Sequence, residues 1–255
     1  MYYAGSCAHA LGCSVDVLAC VPEDFPIDAV QRQFPFRRFG NRSGSTTVFE
    51  NRYQDGRRTQ HLLMKGDAIE GGLPEDVNPE LVLLCPVMDE LLAPITSNVR
   101  GRTTGACLQG WLRVADASGL VSPNEELDFL DSLKGVDVLF YSEEDIGWSD
   151  PPRARIRSCA PVVIETLGKQ GAVVYQGDRE VSVPGTSVVE VDPTGAGDTF
   201  AMAFLIHWHR CGDVVEAARM ACQSAALEVS QKGPLTKESL EKGLVPEVES
   251  NRCLR

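Results

Sequence analysis

The residues best suited to chemistry are gathered in one stretch, Asp192-Pro193-Thr194-Gly195-Ala196-Gly197-Asp198-Thr199-Phe200. Two glycines and an alanine stand between an apolar run that ends near Val191 and a helical pattern that begins at Phe200. Glycines allow a tight turn whose successive N–H groups point outward, and the helix that follows adds the positive end of its dipole. Such a place binds an anion, phosphate above all. A carboxylate at Asp198, inside the first helical turn, would meet a hydroxyl beside that anion. Phosphoryl transfer asks for little more than charge stabilisation, alignment and removal of the hydroxyl proton. The plainer reading is a strand-to-helix turn with Asp198 as a charge that caps the helix. The stretch matches neither the Walker pattern nor the dinucleotide fingerprint, and taken alone it leaves both readings open.

The elements that would hold this turn can be read around it. Phe200, Ala203, Phe204, His207 and Trp208 fall on one face of a helix that Gly212 stops. Asp213 caps a second helix, with Glu216 three residues on and an apolar stripe of Val214, Ala217, Ala218, Ala221, Cys222, Ala225 and Val229. Leu81–Leu84, Val136–Phe140 and Val162–Thr166 are continuous apolar runs, the pattern of strands covered on both faces. A helix over Leu127–Leu133 precedes the second of these, and strands over Ala172–Gln176, Glu180–Val183 and Val188–Val191 follow the third. The chain opens with a helix over Met1–Leu11, stopped at Gly12, and a strand over Val15–Val21. Thr46–Tyr53 and Thr59–Met64 predict a hairpin about Asp55-Gly56. Polar residues on both of its faces place it outside a buried sheet, as a β flap over about 46–64.

Composition narrows the function classes. Hydrophobic residues at 43% supply a sizeable core, and a formal net charge of −12 argues against non-specific binding to nucleic acid or an anionic membrane. No apolar run reaches spanning length and no secretory leader opens the chain, so the expected compartment is cytoplasmic. The nine cysteines contain no Cys-x-x-Cys and no zinc-module spacing, which fits free thiols in a reducing cytosol. His207 and His209, two apart, do not share a helical face and make a poor metal pair.

The stretch Asp192–Phe200 resembles the C-terminal signature of the PfkB/ribokinase family of carbohydrate kinases, Asp-Thr-x-Gly-Ala-Gly-Asp. Thr166-Leu167-Gly168-Lys169-Gln170-Gly171 is similar to the family's loop at the ATP phosphates and ribose, with Thr166, Gly168 and Gly171 as its contacts. Ala217–Gly233 resembles the helix and loop that wall the adenine, with Cys222 at a matching position, and Thr46–Gln60 resembles the flap that closes over the sugar. The resemblance implies an α/β, ribokinase-like fold over residues 1–255, a mostly parallel sheet with helices on both faces, and the small β flap. It implies Asp198 as catalytic base and the N–H groups of Gly195, Ala196 and Gly197 as the hole for the transferring phosphoryl. ATP and Mg²⁺ are the implied cofactors, with K⁺ at Asp192.

Two departures accompany the likeness. The family opens with a strand bearing a substrate-binding Asp and a Gly-Gly turn, whereas Met1 falls about where the first family helix begins. The expectation is a truncated start or a sugar site that has lost a part. The family's Asn-x-x-Glu, which organises Mg²⁺, stands here as Ser142-Glu143-Glu144-Asp145. Ser142 and Asp145 are the candidate metal residues, against a solvated helix start as the plain reading.

Thr46–Asn51, Gly56–Gln60 and Gln109-Gly110-Trp111-Leu112-Arg113 look most like the myo-inositol kinase branch. Phe49, Asn51 and Arg113 are accordingly the candidate acceptor contacts, with a strand-end surface charge as the plainer reading of Arg113. The implied activity is ATP-dependent phosphorylation of a sugar or polyol, with a possible homodimer through the flap. A nucleoside kinase and a non-catalytic nucleotide- or sugar-binding relative are the alternatives.

Overall fold

The computed structural model describes residues 1–54, 57–92, 99, 101–146 and 150–243. Helix α1 (Tyr2–Ala10) is followed by Gly12 in the left-handed region at φ 84°. The run expected as one strand over Val15–Val21 is divided into β1 (Val15–Leu18) and β2 (Val21–Pro22). After the short α2 (Ile27–Gln31), β3 (Phe36–Phe39) and β4 (Arg42–Ser43) pair in parallel with β1 and β2 respectively. The division falls where Gly40, at φ 98°, passes the chain so closely that a Cβ would lie 2.6 Å from the Ala19 carbonyl oxygen. The flap follows as the antiparallel pair β5 (Val48–Gln54) and β6 (Arg57–Met64). Its expected turn residues Asp55 and Gly56 lie outside the described residues.

The main sheet begins with β7 (Leu81–Leu84) and β8 (Thr103–Cys107), which are parallel. A small antiparallel pair, β9 (Arg113–Ala115) and β10 (Val121–Pro123), stands outside it. This pair meets the flap where the Leu62 N–H donates to the Gly119 carbonyl at 2.7 Å. Parallel β11 (Val138–Ser142) is followed by α3 (Glu143–Ile146), α4 (Asp150–Arg157) and parallel β12 (Val162–Thr166). Antiparallel β13 (Gly171–Gln176) and β14 (Arg179–Pro184) complete the six strands, ordered β14-β13-β12-β11-β8-β7. Helices α5 (Ala196–Cys211), α6 (Val214–Val229) and α7 (Lys237–Gly243) close the described chain.

Both faces of the sheet are covered, which explains the uninterrupted apolar runs. Val138, Phe140, Val162 and Ile164 pack with α5 and α6, while Leu139, Tyr141 and Val163 pack on the opposite face with Leu130, Leu133 and Ile156. Phe140 meets Phe204 edge-on at 5.5 Å. Helix α1 joins the α5–α6 face through buried Cys7.

Two expected elements differ. The stretch Leu127–Leu133 is a 3₁₀ helix over Asp128–Leu133, because Leu127, Leu130 and Leu133 are all buried and a spacing of three matches three residues per turn. Val188–Val191 forms no strand. Pro184 ends β14, Val189 is 82% exposed, and the segment is tied down at its end, where the N–H groups of Val191 and Asp192 reach the Val229 carbonyl.

Candidate active site

The glycine turn sits at the start of α5. Gly195 is the residue before the helix, at φ 84°. A Cβ there would lie 2.1 Å from the Tyr3 ring, so both backbone conformation and the packing of α1 demand glycine. At Gly197 a Cβ would meet nothing within 4 Å, so the space beside this backbone is open to a ligand. The Thr199 N–H makes the first helical bond, to the Gly195 carbonyl at 2.9 Å, and the Ala196 N–H reaches back to Pro193 at 3.3 Å. Of the three residues expected to form the phosphoryl hole, Ala196 therefore has its N–H engaged within the turn. Asp192 opens the turn: Thr194 bonds its carboxylate through side chain and N–H, and holds it below the usual carboxylate range.

Asp198 projects half-buried toward the carboxyl ends of the parallel strands. A carboxylate oxygen of Asp198 and the sulfurs of Cys85 and Cys107 lie within 4.8 Å of one another. Cys107 ends β8 and Cys85 directly follows β7, so the base candidate lies outside the strand ends, where open α/β sheets place their ligands.

The turn is held from behind by a group the sequence reading missed. Glu228, 1% exposed, accepts from the Thr199 hydroxyl at 3.2 Å and the Leu235 N–H at 2.7 Å. Burial raises its carboxyl above the ordinary 4.5. Its spacing of four from Ser224 and seven from Ala221 puts it on the buried face of α6, a signal present in the sequence.

The nucleotide-loop candidates divide. The Thr166 hydroxyl bonds the Tyr141 carbonyl at 3.4 Å. Gly171, at φ 103°, is imposed by the chain itself, since a Cβ would lie 2.1 Å from the Val183 carbonyl oxygen. Gly168, at φ 53°, has open space beside it. Cys222 faces the core at 6% exposure, and burial lifts its thiol to about 11.

Ser142 and Asp145 form a capping box at the start of α3. Asp145 accepts from the Ser142 N–H at 3.0 Å, and the Ser142 hydroxyl accepts from the Glu144 N–H at 3.3 Å. Asp145 is also paired with Arg113 at 3.6 Å, and both side chains are largely buried. Burial raises the Asp145 carboxyl, against the Ser142 N–H and the Arg113 charge. The oxygens of Ser142 and Asp145 are thus engaged by the helix start and by Arg113. Arg113 is no surface charge.

A cleft of about 400 Å³ lies between the flap and the main body, lined among others by Leu62, Lys65, Asp89, Trp111, Arg113 and Glu126. Asp89 has φ 55°, and such strain in a non-glycine residue is a mark of functional sites. Phe49 and Asn51 are not among its walls. Phe49 is half-buried on β5, and exposed Asn51 accepts from Gln60 across the hairpin at 3.0 Å.

Comparison with known proteins identifies the fold and the family. The deoxyribokinase of Salmonella typhi is 41% identical over 71 residues, 28% of this chain and 23% of that protein. The ribokinase of Bacillus subtilis is 40% identical over 81 residues, 30% and 28% of the two chains. The alignment thus spans about a quarter of the length of these curated relatives. Among solved structures, a pyrophosphate-dependent kinase in the ribokinase family, complexed with a pyrophosphate analogue and myo-inositol, superposes with a TM-score of 0.77 at 20% identity, covering 94% of this chain and 89% of that one. Ribokinase from Thermotoga maritima gives 0.66 at 16%, covering 95% and 85%. The fold is therefore ribokinase-like. Residues 98–241, more than half of the sequence and including the turn and Asp198, match the pfkB family carbohydrate kinases, and the chain belongs to that family.

Proposed function

We propose that the chain transfers a phosphoryl group from ATP to a hydroxyl of a sugar or polyol, with myo-inositol the first acceptor to test. The observation that carries this reading is the start of α5, where an open glycine turn and a carboxylate in the first helical turn face the crevice outside β7 and β8. Asp198 takes the acceptor proton as the acceptor oxygen bonds to phosphorus and the bond to the leaving phosphate breaks. The backbone at Gly195 and Gly197, with the positive end of α5, stabilises the charge on the transferring group. The donor phosphates approach the open side of Gly168, on the Thr166–Gly171 loop. The acceptor enters the cleft beneath the flap, with Arg113 in its wall and Phe49 and Asn51 on the hairpin above. Magnesium arrives with the donor phosphates, and no side chain of this chain is assigned to it. Potassium, if it activates, does so beside Asp192.

Pyrophosphate is the second donor reading. Cys222, on the segment expected to wall an adenine, is turned into the core, and a donor without a base has no need of that wall. The test is product release from ATP and from pyrophosphate against a panel of sugars, polyols and nucleosides. Transfer to a polyol is the expected result, and selective transfer to nucleosides would replace the acceptor assignment. Binding without transfer from either donor would favour a non-catalytic relative. A homodimer through the flap has the exposed Val48, Leu63 and Met64 in its favour, and sedimentation at rising protein concentration tests it by the appearance or absence of a dimer.

A further inference from the structure

Cys85 and Cys107 have no part in the proposed transfer, yet the fold brings their thiols together beside its base. In the β7–β8 register Leu84 stands opposite Ala106, so Cys85 and Cys107 are the next pair at the carboxyl ends of two adjacent parallel strands. Their sulfurs are 3.9 Å apart. The Cys85 thiol donates to the Cys107 sulfur at this distance, and two thiolates on one tetrahedral ion with metal–sulfur bonds of about 2.3 Å would stand about 3.8 Å apart, so an ion could replace the shared proton with little movement. A carboxylate oxygen of Asp198 completes a triangle whose sides are all under 4.8 Å. All three residues are half-buried, screened from bulk water but not sealed from it.

We propose that Cys85, Cys107 and Asp198 form a binding site for a thiophilic divalent ion, Zn²⁺ being the physiological candidate and Cd²⁺ its spectroscopic substitute. Two sulfurs and one oxygen suit such an ion, whereas magnesium requires oxygen ligands. Three protein ligands leave a fourth position open to water or a phosphate oxygen. Each thiol gives up its proton to solvent as its sulfur bonds the ion, and no oxidant is required. The ligands come from the ends of two core strands and from the first turn of α5, whose positions are fixed by packing on both sheet faces.

The ion and the acceptor proton compete for one carboxylate. Occupancy of this site therefore silences transfer, a consequence that rests on Asp198 being the base, while the binding itself does not.

The binding experiment needs no substrate. Reduced protein is titrated with Cd²⁺ and the thiolate-to-cadmium absorption band is followed, with Zn²⁺ titrated by calorimetry. One ion per chain is expected at this site, with the band reduced and the affinity lowered at least tenfold in both Cys85→Ser and Cys107→Ser. Zn²⁺ should also protect Cys85 and Cys107 of the unaltered protein from alkylation, read peptide by peptide, which keeps the test sound if a variant folds poorly. In Asp198→Asn the cadmium band should persist at lower affinity. A band and stoichiometry unchanged in both serine variants would overturn the site, as would alkylation of the two cysteines at the same rate with and without Zn²⁺. Once transfer is measured, Zn²⁺ inhibition reversed by a chelator and relieved in the serine variants is the expected sequel. Binding without inhibition would count against Asp198 as the base and leave the metal site standing.

Discussion

The α5–α6 face and the flap treat their residues in opposite ways. Around α5, Phe200, Phe204 and Leu205 are buried to within a few per cent, and the buried acid Glu228 accepts from Thr199 and Leu235. On the flap, Leu63 is 62% exposed, and Asn51–Gln60 and Glu50–Arg52 pair in solvent. Among the described residues the flap shares no strand pairing with the six-stranded sheet, and it is bonded to β9–β10 at His61 and Leu62. The lesson is a division of labour. The half that carries the proposed base is held by the core, so changes there that empty the core should affect folding and turnover together. The half that covers the proposed acceptor cleft contributes little to the core, so changes there should act on acceptor recognition alone.

The widest gap between the two regions should be in stability. Phe204→Ala empties a core position and should cost about 3–5 kcal/mol. Leu63→Ala on the flap should stay within about 0.5 kcal/mol, as surface changes do. Urea denaturation of both variants measures the contrast, and equal costs would break it.

Glu228 gives the next effect. Glu228→Ala strands the Thr199 hydroxyl and the Leu235 N–H, at about 1–3 kcal/mol for each buried group left unpaired. Because burial raises its carboxyl, the folded chain holds the Glu228 proton more tightly than the unfolded chain does. The stability tied to this group is thus greatest below about 4.5, declines as pH rises through the folded pKa, and is level beyond it. Glu228→Gln should remove that slope in melts across pH, and an unchanged slope would mean that another group supplies it.

The smallest effect on folding belongs to Asn51. Asn51→Ala should leave stability within about 0.5 kcal/mol. The acceptor KM should rise several-fold while the donor KM holds. A donor KM that moved with it would end the separation of the two regions.

What the sequence made legible follows the same line. β11 and β12 were readable because residues alternate between two buried faces, so both parities are apolar. The turn at Gly195–Asp198 was readable because its parts are contiguous. The Cys85–Cys107–Asp198 triangle was not, since it depends on strand register and on where α5 begins, and no local spacing encodes either. Glu228 was hidden by an apolar stripe drawn slightly to one side of the true buried face. Ser142–Asp145 illustrates an ambiguity of chemistry: the same oxygens suit a metal or a helix cap, and the cap bonds and the pairing with Arg113 depend on tertiary placement that the four residues do not encode.

The central claim is that Asp198 removes the acceptor proton, and Asp198→Asn tests it most directly. The variant keeps the shape of the turn and loses the ability to accept a proton. Single-turnover transfer to the best acceptor of the panel, alongside donor binding by calorimetry, should show transfer slowed by about 10²–10⁴-fold with donor affinity preserved. Transfer retained at near the unaltered rate, in a variant that still binds donor, would contradict it.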